Sequence, residues 1–299
     1  MTISNDQLLT WTNSPASTKP QYTHQQIREA LAQGIGLSGK NFEVYLQGSY
    51  ANSTNIKADS DVDIVVQLSS AFQYNLSKLN EVEKSLFHIT YSNSTYSWIN
   101  FRQDVINALV TFFGQEKIVP GNKSIKLLGD SNLLNADIVP CLQFRNYNNF
   151  SLINKKDFIE GIKFWTIRES KEIINYPKAH RSNGEDKNAQ HRTNERYKDV
   201  VRIVKNIKKR LVENNNLDPK IAPSYFIECA VYNVPDGHFT GNHQNSLGYV
   251  LNHLLRQCNP SILLTVSHQH SLFGLESWQW NTADASNFFT AVENYYLNN

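Results

Sequence analysis

At 299 residues the chain is long for a single core and suits two lobes. Its 29 Lys and Arg nearly balance 27 Asp and Glu, and the formal net charge of +2 excludes a whole-chain pull toward nucleic acid or anionic membrane, though not a local basic patch. A hydrophobic share of 40%, with 15 Phe, 14 Tyr and 5 Trp, fills a sizeable core and excludes global disorder.

Taken in chain order, residues 1–20 are polar with two prolines and read as a loose or docked arm. THQQIREALAQGIG carries apolar residues near helical spacing, with Thr23 as cap and Gly34 as stop. FEVYLQ (Phe42 to Gln47) alternates like a strand, and VDIVVQL (Val62 to Leu68) is a strand apolar on both faces after Asp63. FRQDVINALVTFFG is an amphipathic helix closed by Gly114; SIKLLG, LNADIVPCLQF and EGIKFWTI are further strands. Near residue 176 the pattern changes. NYPKAHRSNGEDKNAQHRTNE reads as a polar connector, and helices follow in RYKDVVRIVKNIKKRLVE, PSYFIECAVYNV, NHQNSLGYVLNHLLRQ and ASNFFTAVENYYL. The organisation is a mixed α/β front, 1–175, and a helical back, 176–299; a cleft between two such lobes is a common place for a ligand.

Cys141, Cys229 and Cys258 form no CxxC pair, which argues against a disulfide scaffold or a cysteine zinc site. The N-terminus lacks a basic start followed by an apolar core, and no apolar run approaches the roughly 20 residues that span a bilayer. The expectation is a cytoplasmic protein with no membrane partner.

The chemistry concentrates in LQGSYANSTNIKADSDVDIVVQL. On a strand, side chains at i and i+2 share a face, so Asp61 and Asp63 project together while Val62 points into the core. Two adjacent carboxylates repel unless a cation lies between them, and Mg²⁺ is commonly held by one or two carboxylates plus substrate phosphates. A lone Asp-x-Asp is most often a solvated strand start. Here a third carboxylate, Asp137, sits in another apolar strand, and Gly48-Ser49 lies behind a strand twelve residues ahead of Asp61. Three aspartates on neighbouring strands can hold two divalent ions, which stabilise the attacking and leaving oxygens of a phosphoryl displacement. The Gly-Ser step lets backbone N–H groups approach an anion.

The pattern GS(x)11DxD with a distant strand aspartate resembles the DNA polymerase β-like nucleotidyltransferase superfamily. Together with ADIVPCLQF, NYPKAHRSNGEDKNAQ, YKDVVRIVKNIKK and PSYFIECAVYNV, over roughly residues 42–234, it resembles the bacterial cGAS/DncV-like nucleotidyltransferases (CD-NTases) of anti-phage signalling operons. That resemblance implies an α+β fold: a polymerase β-like core with a mixed sheet, and a mainly helical C-terminal lobe that closes an NTP cleft. It implies catalytic and metal-holding roles for Asp61, Asp63 and Asp137 with two Mg²⁺ or Mn²⁺ ions, phosphate binding at Gly48 and Ser49, and donor-nucleotide contacts from Lys205, Ser224 and Tyr225. The implied reaction joins NTP substrates into a cyclic di- or trinucleotide that acts on a separate effector protein, with regulation by operon partners left open.

Rival readings of single residues are plain. Arg202, Lys208 and Lys209 read as a solvated basic face, Lys178 and His180 as structural or substrate-positioning, and His268 and His270 as surface residues without metal-ligand context. Rival functions are a linear oligonucleotide synthase, a drug- or protein-modifying nucleotidyltransferase, and a non-catalytic nucleotide sensor. No zinc insertion or strongly basic surface supports nucleic-acid sensing.

Overall fold

A computed structural model of the chain describes residues 2–14, 18–57, 60–276 and 278–299. The elements run α1 (Asn5–Thr12), α2 (Lys19–Ala32), β1 (Phe42–Gln47), α3 (Gly48–Ala51), β2 (Val62–Asn75), α4 (Glu81–Thr90), α5 (Trp98–Phe113), β3 (Ile118–Pro120), β4 (Ile125–Leu127), β5 (Ala136–Tyr147), β6 (Phe158–Trp165) and β7 (Glu172–Asn175). Helices then follow: α6 (Pro177–Asn188), α7 (Gln190–Thr193), α8 (Arg196–Glu213), α9 (Ser224–Tyr232), α10 (His243–Arg256) and α11 (Thr282–Asn298). They group into two compact units. One comprises Ser17–Tyr50 and Asp59–Ala179; the other comprises Met1–Ala16, Ala51–Ala58 and His180–Asn299, so the helical unit takes in two stretches from the front of the chain.

The first unit is built on a mixed sheet in the order β1-β2-β5-β4-β3, with β6 on β5 and β7 on β6. All pairings are antiparallel except β2 with β5, which is parallel. A parallel pair needs a long crossover, and the stretch containing α4, α5, β3 and β4 supplies it. Helix α5 buries Trp98, Phe101, Val105 and Leu109 in the same core as Val62, Ile64, Val66 and Ile138. Strand β5 is covered on its other side by β4 at 136–138 and by β6 at 142–147, which leaves a gap at 139–141. Pro140 falls in that gap, where Trp98 Nε1 donates to its carbonyl at 2.8 Å. In a strand the N–H and C=O of one residue point the same way, so the missing proline N–H costs no ladder bond.

The second unit has its own core of Tyr197, Val200, Val201, Val204, Phe226, Ile227, Leu247, Phe288 and Val292. Ile3, just ahead of α1, and Leu8 within it join that core, so the arm docks up to residue 14; residues 15–17 lie outside the described residues and Lys19 already opens α2. The expected connector is also helical, as α6 and α7. Pro177 suits a first helical turn, and the residues α6 buries are His180, Gly184 and Lys187, a helical spacing of polar and small residues that apolar periodicity does not register. Thr23 does not cap α2, which begins four residues earlier; buried inside the helix, its hydroxyl accepts from the Leu134 backbone N–H (3.0 Å). Among the described residues no helix is long and apolar enough to cross a membrane. Ile138 is fully buried near the start of β5, and Ile138→Ala is expected to lower stability by about 2–5 kcal/mol, measured as an earlier urea midpoint.

Candidate active site

The parallel register sets Asp63 of β2 directly opposite Asp137 of β5. On flanking strands, Gln47 is opposite Asp63 and Lys126 is opposite Asp137, so Gln47, Asp63, Asp137 and Lys126 form one row on one face of the sheet. Asp61 sits just before β2. Its carboxylate is exposed and accepts from Lys126 Nζ (2.9 Å) and Asn135 Nδ2 (3.2 Å). Those bonds, Lys126 first, outweigh partial burial and hold the Asp61 carboxyl below the usual carboxylate range.

Asp63 is in the opposite state. It is half-buried and receives no hydrogen bond among the described residues. Burial, then the charges of Asp137 and Asp61, push its pKa up to about 6. Asp137 accepts from the Ser124 hydroxyl at 3.0 Å through Oδ1. Gly48 ends the β1 row at φ +67°, and a Cβ there would overlap the Asp63 carboxylate, so only glycine fits. The backbone at the Gly-Ser step is thereby held against Asp63. Ser49 follows, half-buried, in the single helical turn of α3.

This row fits a divalent cation. Its two carboxylates, Asp63 and Asp137, supply oxygen donors, the ligand type that hard divalent ions prefer, and Asp63 is a desolvated carboxylate set directly opposite the second. Asp61 is the member that is turned aside. With Lys126 holding it, no three His, Cys, Asp or Glu side chains among the described residues gather around one point. Lys126, Ser124 and Asn135 were not singled out from the sequence; a lysine inside the short apolar strand SIKLLG was the available signal.

The other expected contacts belong to the helical unit. Ser224 is the first residue of α9, exposed, and its hydroxyl makes no hydrogen bond among the described residues. Tyr225 is exposed too; its ring stacks on Trp280 (centroids 5.7 Å, 28°) and leans on His180 (5.2 Å, 33°). Lys205 is buried and paired with Glu228 at 2.7 Å. Burial pushes the Glu228 carboxyl up, but Lys205 and His180 outweigh it and hold it well below the usual range. Arg202 is not on a solvated face. It is buried and donates to the Thr12 and Ser53 carbonyls and to Asp199. In the sheet unit, Lys178 bridges Glu43 and Glu160, both at 2.6 Å.

Comparison with known proteins gives a consistent picture. Residues 182–297 match the model of the cGAS/DncV-like nucleotidyltransferase C-terminal helical domain, and residues 25–113 match that of the nucleotidyltransferase domain. The chain is 40% identical to cyclic nucleotide synthase CdnE01 of Staphylococcus haemolyticus over 99% of both chains. The solved structure of Rhodothermus marinus CdnE c-UMP-AMP synthase with Apcpp and Upnpp superposes with a TM-score of 0.89 at 38% identity, covering 99% of this chain and 97% of that one. The Elizabethkingia meningoseptica CdnE cyclic dinucleotide synthase with GTP and Apcpp follows, with a TM-score of 0.78 at 30% identity over 99% of this chain and all of that one.

The raised Asp63 pKa makes a prediction for metal-free protein. A carboxyl whose folded pKa lies above its unfolded value of about 3.9 favours the folded state most below that value and loses this contribution as pH rises through about 6. At pH 7.5 the cost is on the order of 3 kcal/mol. In chelator, Asp63→Asn should therefore melt several degrees above the parent at pH 7.5 and no higher at pH 4, read by thermal scanning.

Proposed function

As a member of the cGAS/DncV-like nucleotidyltransferases, the chain is a nucleotidyltransferase, and we propose that it joins ribonucleoside triphosphates into a cyclic di- or trinucleotide with release of pyrophosphate at each bond. The observation that carries this reading is the pairing of Asp63 with Asp137 across parallel strands, with the Gly48 backbone packed against Asp63. Such a carboxylate pair beside a close-approach glycine suits a triphosphate in company with divalent cations.

Family membership carries a general divalent-metal requirement. Two Mg²⁺ or Mn²⁺ ions, held through Asp61, Asp63 and Asp137, would neutralise charge on the attacking and leaving oxygens. The protein's own groups do the rest. The exposed Asp61 exchanges Lys126 for the substrate complex. Backbone at Gly48 and Ser49 binds the triphosphate, the exposed Ser224 hydroxyl adds a contact, and Tyr225, exposed beside Trp280, gives a base an aromatic surface. Asp137, with one oxygen bonded to Ser124, keeps the other to accept the proton of an attacking 2′- or 3′-hydroxyl. The hydroxyl oxygen bonds to the α-phosphorus as the bond to pyrophosphate breaks. A second transfer closes the ring, and the product acts as a messenger on a separate effector protein in anti-phage (CBASS) signalling.

Incubation with all four NTPs and Mg²⁺ or Mn²⁺, then phosphatase and mass spectrometry, tests the reading. A phosphatase-resistant product formed without an added acceptor is expected. Phosphatase-sensitive ladders would instead mean linear synthesis, and no product without an acceptor would mean transfer to a drug or protein. Changing Asp61→Asn and Asp63→Asn together should abolish product while the metal-free protein melts no lower than the parent; a drop of several degrees in chelator would contradict the crowding argument.

A further inference from the structure

Glu228 is the most heavily engaged carboxylate of the helical unit. It is 3% exposed on α9, an otherwise apolar helix. Its Oε1 accepts from Lys205 Nζ (2.7 Å) and Thr54 Oγ1 (2.6 Å), and its Oε2 accepts from Asn52 Nδ2 (3.0 Å) and His180 Nε2 (3.0 Å). Four donors fill the capacity of a carboxylate. Lys205 is saturated in turn, because its other two N–H groups go to the carbonyl and hydroxyl of Thr54, both at 3.1 Å. An ammonium has three donors. Lys205 therefore has none free for a phosphate unless it abandons a buried acceptor.

What these groups hold is the segment Asn52–Thr54, which leaves α3 a few residues after Ser49. Ser53 has φ +56°, a left-handed conformation uncommon for a residue with a side chain. Arg202, one turn before Lys205 on α8, donates to the Ser53 carbonyl. A strained turn gripped from α8 and α9 together is over-determined, the condition under which such backbone persists at functional sites. Stability alone does not call for this arrangement, since a buried ion pair is commonly no better for stability than well-packed apolar side chains.

We infer that Glu228 is a positioning residue for nucleotidyl transfer, acting through Lys205 to fix the Asn52–Thr54 turn, which follows the Gly48-Ser49 step along the chain. The inference rests on the nucleotidyltransferase reading above. Lys205 serves nucleotide binding by placing a fixed charge and a fixed turn, and its location depends on Glu228.

The test uses the full chain with Mg²⁺ and a non-hydrolysable ATP analogue, with affinity measured by calorimetry and folding by circular dichroism. E228Q keeps the shape but faces Asn52 and His180 with either an amide donor or a misplaced acceptor, so analogue binding should weaken about tenfold or more. K205M should lose as much, and the double variant no more than K205M, because one clamp is being removed twice. In turnover, E228Q should raise KM about tenfold with kcat changed less than about threefold; mere loss of folded enzyme would lower kcat at constant KM. Wild-type affinity in folded E228Q, losses that multiply in the double variant, or a fall in kcat at constant KM would each overturn the inference. Should E228Q fail to fold, T54V decides, with a loss of several-fold supporting the clamp and unchanged affinity overturning it. A parent protein that binds no analogue would instead overturn the nucleotidyltransferase reading itself.

Discussion

The structure depends on one pairing: β2 beside β5, parallel, in a sheet whose other ladders are antiparallel. That register sets Asp63 directly against Asp137, and burial together with the charges of Asp137 and Asp61 pushes the Asp63 pKa up to about 6. Carboxylates so placed are unfavourable for folding in isolation, and sites that hold such groups trade stability for chemistry. The surrounding structure makes the pairing robust. Helix α5 seals the core face behind it, and Trp98 takes the one carbonyl that the gap beside Pro140 leaves without a strand partner.

Lys126 ties up one carboxylate of this site. From its place opposite Asp137 it reaches Asp61, so the exposed aspartate is neutralised by a neighbour while half-buried Asp63 is not. An exposed lysine–aspartate pair is weak and exchangeable. Asp61 can therefore change partners cheaply, whereas Asp63 and Asp137 are fixed by the ladder. In the helical unit the logic is reversed. Lys205 and Glu228 are both buried and fully hydrogen-bonded, and breaking one partner would strand the other without water.

Much of this was legible from the residues. Strand β1 follows its alternating pattern to both ends, α8 follows its helical spacing to both ends, and Asp63 and Asp137 stand out because carboxylates inside apolar strands need a reason. Other features were hidden for definite causes. Helix α6 buries His180, Gly184 and Lys187, so its inner face carries no apolar stripe. The segment around α1 docks through Ile3 ahead of the helix and Leu8 within it, too few apolar positions to mark an amphipathic segment. Arg202 lies in a basic run and looks solvated, yet its partners are carbonyls from residues 12 and 53, far away in the chain.

By itself the sequence determined most of the strands and the longer amphipathic helices, because these follow from periodicity over a few residues. Only the tertiary structure decided which distant charges neutralise one another: Lys126 with Asp61, Lys205 with Glu228, Asp63 left facing Asp137. Charge pairing and desolvation act through space, and strand register and helix packing set those distances, not separation along the chain.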